Sequence, residues 1–379
     1  MKRLALFALL CLFAQAGCPE ALGETPSRPP QAGEEKTWRL AIVYSGPFKD
    51  YQLIFQGMLN GMEEQGLIEN GAVPLNGQTD MDSMWAWAAA HAGGSRLAFV
   101  KDALYSYEWD REKRESVKQR LLDRIRDKGD IDCILTFGTW PGQDFAAEDL
   151  ALPVLVSSVS DAVGAGIIPS PEDSGRDNLW AAVEPGRYEL QLRVFHEIFP
   201  FSRLGIAYDD TPSGRGIIAL PVIEKAAENM GIELVRCTGG LLVADADLAA
   251  DRLLACHREL AERKADAVYI TYTTAMAPRR IPEILAPLID ARIPTFSQVG
   301  SEDVAHGALL SIAQTNMPDE GRFSARALAE VLRGKKPRSL SQVYESSVSL
   351  AVNLRTAMRI GWNLPMEILS AVDQLYQDF

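Results

Sequence analysis

The residues best placed to meet a ligand are hydroxyls and acids in loops that follow short apolar runs. The run 39–44 leads into Ser45-Gly-Pro-Phe48, and 131–137 leads into Gly138-Thr-Trp-Pro-Gly-Gln143. The run 153–156 leads into Ser157-Ser-Val-Ser-Asp161. In the second half, Asp209-Asp-Thr211, Thr271-Tyr-Thr-Thr274 and Ser297-Gln-Val-Gly-Ser301 hold equivalent places. Hydroxyls and unpaired helix N–H groups suit a carboxylate or another polar group, at ~0.3–1 kcal/mol per helix-end contact. Asp161 suits an ammonium. Tyr44, Trp140, Tyr208 and Tyr272 adjoin these loops and can stack on a planar ligand. The candidate ligand contacts are therefore Ser45, Gly46, Thr139, Trp140, Gln143, Ser158, Asp161, Tyr208, Asp209, Tyr272, Thr273 and Gln298. The same hydroxyls are also ordinary helix caps, and that reading stands beside the first.

Catalytic and cofactor motifs are missing from the sequence. It holds no G-x-S-x-G elbow, no Walker A loop and no G-x-G-x-x-G. His91, His196, His257 and His306 are scattered without H-x-x-x-H spacing, and no C-x-x-C occurs, so neither a metal site nor a cofactor is expected. Ser213-Gly-Arg-Gly216 could offer N–H groups to an anion or simply begin a helix. Cys133 lies in an apolar run and reads as a buried thiol. Cys237 and Cys256 could pair in an oxidising compartment, but their spacing decides nothing.

The elements that must carry these loops alternate between apolar runs and helical stripes. Ile54, Met58 and Met62 share one face of a helix over 51–65 that Gly66 closes, and Val117, Leu121 and Ile125 share one over 112–127. Strands are expected at 96–100, 131–137 and 153–156 besides the first. The rhythm breaks over 161–181, then resumes with strands at 204–208, 232–236, 267–270 and 294–296 between helices. This pattern predicts two parallel, doubly wound α/β lobes. Segment 72–95, with Trp85 and Trp87 among alanines, reads as an insertion.

The chain has 379 residues, 47% apolar, with a formal charge of −13. Those values fit a globular protein of about two domains and make nucleic acid a poor partner. Residues 1–17 read as a signal peptide: Lys2 and Arg3, an apolar run over 4–14 too short to span a bilayer, then Ala14-Gln15-Ala16. Residues 18–36, rich in Pro, Gly and Glu, read as a flexible tether. Ala16-Gly17-Cys18 resembles the end of a lipobox, with Gln15 where Leu is usual. Lipidation at Cys18 and plain secretion both stand open, and either places the chain in the periplasm or another extracytoplasmic space.

Four stretches carry a further likeness. Thr139-Trp-Pro-Gly-Gln143, Val159-Ser-Asp-Ala-Val-Gly-Ala-Gly166, Ile293-Pro-Thr-Phe296 with Val304 and Gly307-Ala-Leu309, and Val352-Asn-Leu-Arg-Thr-Ala357 with Gly361 and Pro365 occur in that order. In them the chain resembles the tryptophan/tyrosine-type ABC transporter substrate-binding proteins. The resemblance implies the type I periplasmic binding protein fold: two lobes, three hinge crossovers and an interlobe cleft. It implies an N-terminal lobe of 37–160 plus 308–336 and a C-terminal lobe of 182–304 plus 340–379, with crossovers near 161–182, 304–314 and 336–346. The implied function is non-enzymatic: a monomer binds a small polar solute, aromatic ones included, such as an amino acid, by hinge closure. It then docks on an ABC permease with its ATPase. By resemblance Thr139 and Asp161 carry over as first-lobe contacts. The family often has an acid where this chain has Thr273. The alternatives are a periplasmic sensory receptor presenting ligand to a membrane kinase or chemoreceptor and, further off, an exported hydrolase.

Overall fold

Runs of aliphatic residues, bounded by Gly, Pro and polar turns, set two separate sheets. A computed structural model describes residues 36–74, 80–314 and 317–378. The proposed signal peptide, most of the tether and Cys18 lie outside the described residues. The first half runs β1 (Trp38–Tyr44), α1 (Lys49–Glu64), α2 (Met81–His91), β2 (Leu97–Ser106), α3 (Arg111–Asp127), β3 (Cys133–Phe137), α4 (Thr139–Ala147), β4 (Val154–Ser157) and β5 (Leu179–Ala181). The second half runs α5 (Arg187–Ile198), β6 (Arg203–Tyr208), α6 (Pro212–Ile217), α7 (Leu220–Met230), β7 (Glu233–Thr238), α8 (Ala246–Glu262), β8 (Ala267–Ile270), α9 (Ile281–Asp290), β9 (Thr295–Ser297) and α10 (Ser301–Ala305). It continues through β10 (Leu310–Gln314), α11 (Met317–Leu332), β11 (Val348–Asn353), α12 (Leu354–Ile360) and β12 (Gln374–Tyr376).

The first sheet has the order β2-β1-β3-β4-β5 and is parallel throughout. All five residues of β3 are buried, as a strand covered on both faces requires. The second sheet has the order β12-β11-β10-β9-β8-β6-β7. Among the described residues its one antiparallel pairing is that of β10 with β11, Leu310 opposite Val352. Between β10 and β11 the chain forms α11, which packs on α1 of the first lobe.

That excursion also corrects the lobe boundaries. Residues 308–336 were expected in the N-terminal lobe, but β10 belongs to the second sheet and only α11 packs on the first, against α1. The segment 304–314 expected as a crossover therefore stays with the second sheet as far as Gln314. The first crossover shifts too: 161–178 stays with the first lobe, because Leu179-Trp-Ala181 adds a fifth strand beside β4. The crossing follows it, where Val183 N–H bonds Gln342 O at 2.9 Å and Tyr344 N–H bonds Val183 O at 3.1 Å. The first and third crossovers thus run as a two-strand hinge, with Val183 beside Val343.

Glycines let α1 and α11 approach unusually closely. A Cβ at Gly57 would lie 2.0 Å from Pro318 O, and one at Gly321 would lie 2.0 Å from Ile54 O. The crossing packs α11 on α1 beside the cleft, with Glu320 in its wall. Ile54, Met58 and Met62 are all buried under it, as their spacing predicted.

Part of segment 72–95, read as an insertion, packs into the first lobe. Within it, α2 buries Trp85 against Phe55 and Phe99, and the indole N–H bonds Val100 O at 3.0 Å. With Met81, Met84 and Ala88, Trp85 makes α2 part of the core.

Cys237 on β7 and Cys256 on α8 form a disulfide, fastening an edge strand to its covering helix, while Cys133 is a buried free thiol. The cysteines are 19 residues apart, and a loop of that size stabilises by about 3 kcal/mol. A Cys237→Ser/Cys256→Ser protein is expected to lose about that much in urea unfolding, and reductant is expected to lower the stability of the wild type but not of the variant. Among the described residues, no helix is long and apolar enough to cross a membrane.

Candidate functional site

Loops at the carboxyl ends of both sheets meet across a cleft, as the topology of parallel α/β lobes dictates. They enclose a cavity of ≈ 80 Å³ walled by residues of both lobes. At roughly 10–15 Å³ of such space per water molecule, it holds several waters or the polar head of a solute. Past Phe48, Trp109 and Tyr272 the cavity meets a wider interlobe groove. Those three rings touch across the lobes: Phe48 and Tyr272 centroids are 4.8 Å apart, Trp109 and Tyr272 5.5 Å.

Four of the twelve predicted contacts line the cavity: Thr139, Ser158, Tyr272 and Gln298. The Gln298 amide is already engaged, donating to Ile218 O at 2.8 Å and accepting from Tyr272 N–H at 3.1 Å, so it braces the wall. Thr273 lines only the outer groove. Ser45 is fully buried behind the site. Gly46 allows Trp109 to lie on the backbone, since a Cβ there would sit 2.4 Å from Trp109 Cδ1. Trp140 is buried edge-on against Trp109, and Tyr208 is buried in β6. Gln143 and Asp209 make contacts between the lobes outside the cavity.

The structure does not place Asp161 in the cavity wall. Its carboxylate accepts the Gly164 N–H at 2.7 Å and closes the turn that follows. An acid three residues before a glycine suits a turn as well as an ammonium, and the turn claims it here.

The charged groups that do line the cavity come from elsewhere. Asp50 lies in the first turn of α1, and Arg187 is the first residue of α5, immediately after the hinge. Arg187 keeps 16% of its side chain exposed, lies 3.9 Å from Glu184 and has no hydrogen-bond partner for Nε among the described residues. Burial works against its charge, but the oxygens of Tyr188, Tyr344 and Glu184 outweigh it and raise its pKa. Burial raises the Asp50 pKa to about 6, and Glu302 adds to the rise, while Arg187 and Lys49 oppose it.

Glu320, also in the wall, is held by α11 at 5% exposure. It accepts Ser158 N–H at 2.6 Å and Tyr344 O–H at 3.2 Å. The first bond pins Ser158 at φ +57°, a left-handed conformation costly for a residue other than glycine. Burial pushes the Glu320 pKa up to about 7, against the pull of those donors and Arg187.

Sequence reasoning missed Asp50, Glu184, Arg187 and Glu320. One signal was present for Glu320: it shares a buried helix face with Ser324 and Leu328, where an acid has no business unless it is partnered. Among the described residues, no group of three or more His, Cys, Asp or Glu could hold a metal ion.

The raised acids carry a testable sign. Asp50 and Glu320 hold protons in the folded chain that the unfolded chain has already lost near pH 5. Their contribution is complete below the ordinary carboxylate range and is lost as pH rises through about 6 and 7. The melting temperature of solute-free protein is therefore expected to fall between pH 5 and pH 8 in a calorimetric scan, and to fall less in Glu320→Gln.

Two lobes, a strand-like hinge and a walled cleft define a type I periplasmic binding protein. A family model described as ABC transporter substrate binding protein matches residues 100–375, and the chain belongs to that family. Solved structures agree in fold. A conserved domain protein from Vibrio cholerae superposes with TM-score 0.67 at 20% identity, covering 90% of this chain and 100% of that one. An ABC domain from Streptococcus pneumoniae in complex with L-Trp gives 0.65 at 16%, with the same coverage. A 5-methylthioribose transporter solute-binding protein from Thermotoga lettingae gives 0.54 at 14%, covering 88% and 95%. No curated protein sequence matches.

Proposed function

We propose that this chain is the extracytoplasmic receptor of an ABC importer, and that its solute is a small zwitterion of the amino-acid type. The observation that carries the reading is the pair Asp50 and Arg187. They face one small cavity from opposite lobes, and among the described residues the carboxylate meets no hydrogen-bond donor and the guanidinium Nε no acceptor. An ammonium satisfies the first and a carboxylate the second, the guanidinium fork being suited to a carboxylate. Such a solute touches both lobes only when they are closed, so it favours the closed state by its differential affinity. Asp50 also fills the role left vacant by Thr273, where the resembling family often has an acid. The L-Trp bound to the Streptococcus relative is a solute of this kind and supports the tryptophan/tyrosine-type assignment. The closed form would then dock on a membrane permease served by its ATPase.

Mass spectrometry of the natively purified protein tests the reading. An amino acid or close derivative is expected at one per chain, recovered unchanged after long incubation. Recovery of an uncharged sugar, or of a hydrolysed product, would overturn it.

A further inference from the structure

The lobes also touch outside the cavity. Arg111, the first residue of α3, places Nη2 2.9 Å from Asp209 Oδ2 across the cleft. Asp209 is 3% exposed, and its two oxygens also accept Leu241 N–H at 2.6 Å and Leu242 N–H at 3.2 Å. The carboxylate is thus fixed by its own lobe before Arg111 reaches it. Three residues further along α3, Arg114 grips Asp144 with Nε and Nη2, both at 2.8 Å, and donates Nη1 to Ser213 Oγ at 3.1 Å. Ser213 in turn donates to Gln143 Oε1 at 2.8 Å. Beside them a Cβ on Gly216 would come within 2.8 Å of the Ala165 Cβ. None of Arg111, Arg114, Gln143, Asp209 or Ser213 lines the cavity.

We propose that these contacts form an interlobe latch, in which Arg111 and Asp209 are positioning residues that set the open–closed balance without touching solute. Contacts that exist only in the closed state shift a hinge equilibrium by their own free energy. Solute affinity then rises by the same factor, because apparent affinity scales with the population of the competent state. Arg111 is half exposed, so solvent weakens the pair and the expected factor is modest, about three- to tenfold. The latch requires the two-lobe clamp but does not depend on which solute the cavity takes.

Small-angle scattering of solute-free protein tests this, with the wild type, Arg111→Ala, Arg111→Lys and Gly216→Ala compared at low and high salt. Arg111→Ala is expected to raise the open-to-closed ratio about three- to tenfold, with an unchanged melting temperature because Arg111 packs against no core. Arg111→Lys is expected to recover part of the closed state. Gly216→Ala lies in a helix, where alanine is favoured. It is expected to open the protein because the added methyl meets Ala165 only on closure. High salt is expected to open the wild type and to leave Arg111→Ala where it was. If Arg111→Ala and the wild type scatter alike at both salts, there is no latch. Because no solute is present, that failure is separate from failure of the zwitterion reading, which mass spectrometry decides.

Discussion

Arg187→Ala is expected to weaken binding of an amino-acid solute by about 10³-fold, ~4 kcal/mol, in a calorimetric titration. Removing one side of a desolvated charge pair loses its hydrogen bonds and leaves the other charge buried without a partner. Arg187 lines a cavity that admits only a few waters, so little solvent can replace it. Arg187→Lys is expected to recover only part of the loss, since an ammonium cannot present a bidentate fork. The variant should remain folded: its guanidinium Nε bonds nothing among the described residues, and the nearby Glu184 also accepts the Ser346 hydroxyl. An affinity within threefold of the wild type would show that the solute carboxylate is held elsewhere.

Asp50→Ala is expected to cost about as much, 10²–10³-fold, through loss of the ammonium partner. Its pH dependence makes this prediction more specific. The Asp50 pKa stands at about 6 without solute, and binding an ammonium requires the charged form. Wild-type affinity should therefore rise as pH rises through about 6 and level off above it. Below about 6 it should fall by up to tenfold per pH unit, with proton release on binding. In Asp50→Asn the affinity should be low, and this contribution to the slope should be gone. A variant that binds as tightly as the wild type, with the same pH slope, would remove Asp50 from the site.

Much of the scaffold was legible because its signals were local. The stripe Ile54, Met58, Met62 gave α1, and buried aliphatic runs gave β1, β3, β4, β6 and β8 within a residue or two. What stayed hidden depended on long-range pairing. The three-residue β5 is a strand only because β4 offers it an edge, and the antiparallel pairing of β11 with β10 joins segments some forty residues apart, Leu310 opposite Val352. The site followed the same division. Thr139 and Ser158 stand in the βα loops where ligands of parallel sheets are expected, and they line the cavity. Asp50 and Arg187 stand at helix starts, beyond one loop and one hinge. Nothing in their sequence neighbourhood separates them from solvated charges. Only the closure of two lobes desolvates them. Asp209 was placed among the ligand contacts for its position at a strand end, which is sound, but its neighbours Leu241 and Leu242 claim its oxygens.

A crystal structure of the protein with its co-purified solute is the most direct measurement. The account predicts one small molecule between the lobes, its ammonium within hydrogen-bond distance of the Asp50 carboxylate and its carboxylate against the Arg187 guanidinium. A solute seated in the cleft with neither group engaged, or seated outside the cleft altogether, would contradict it.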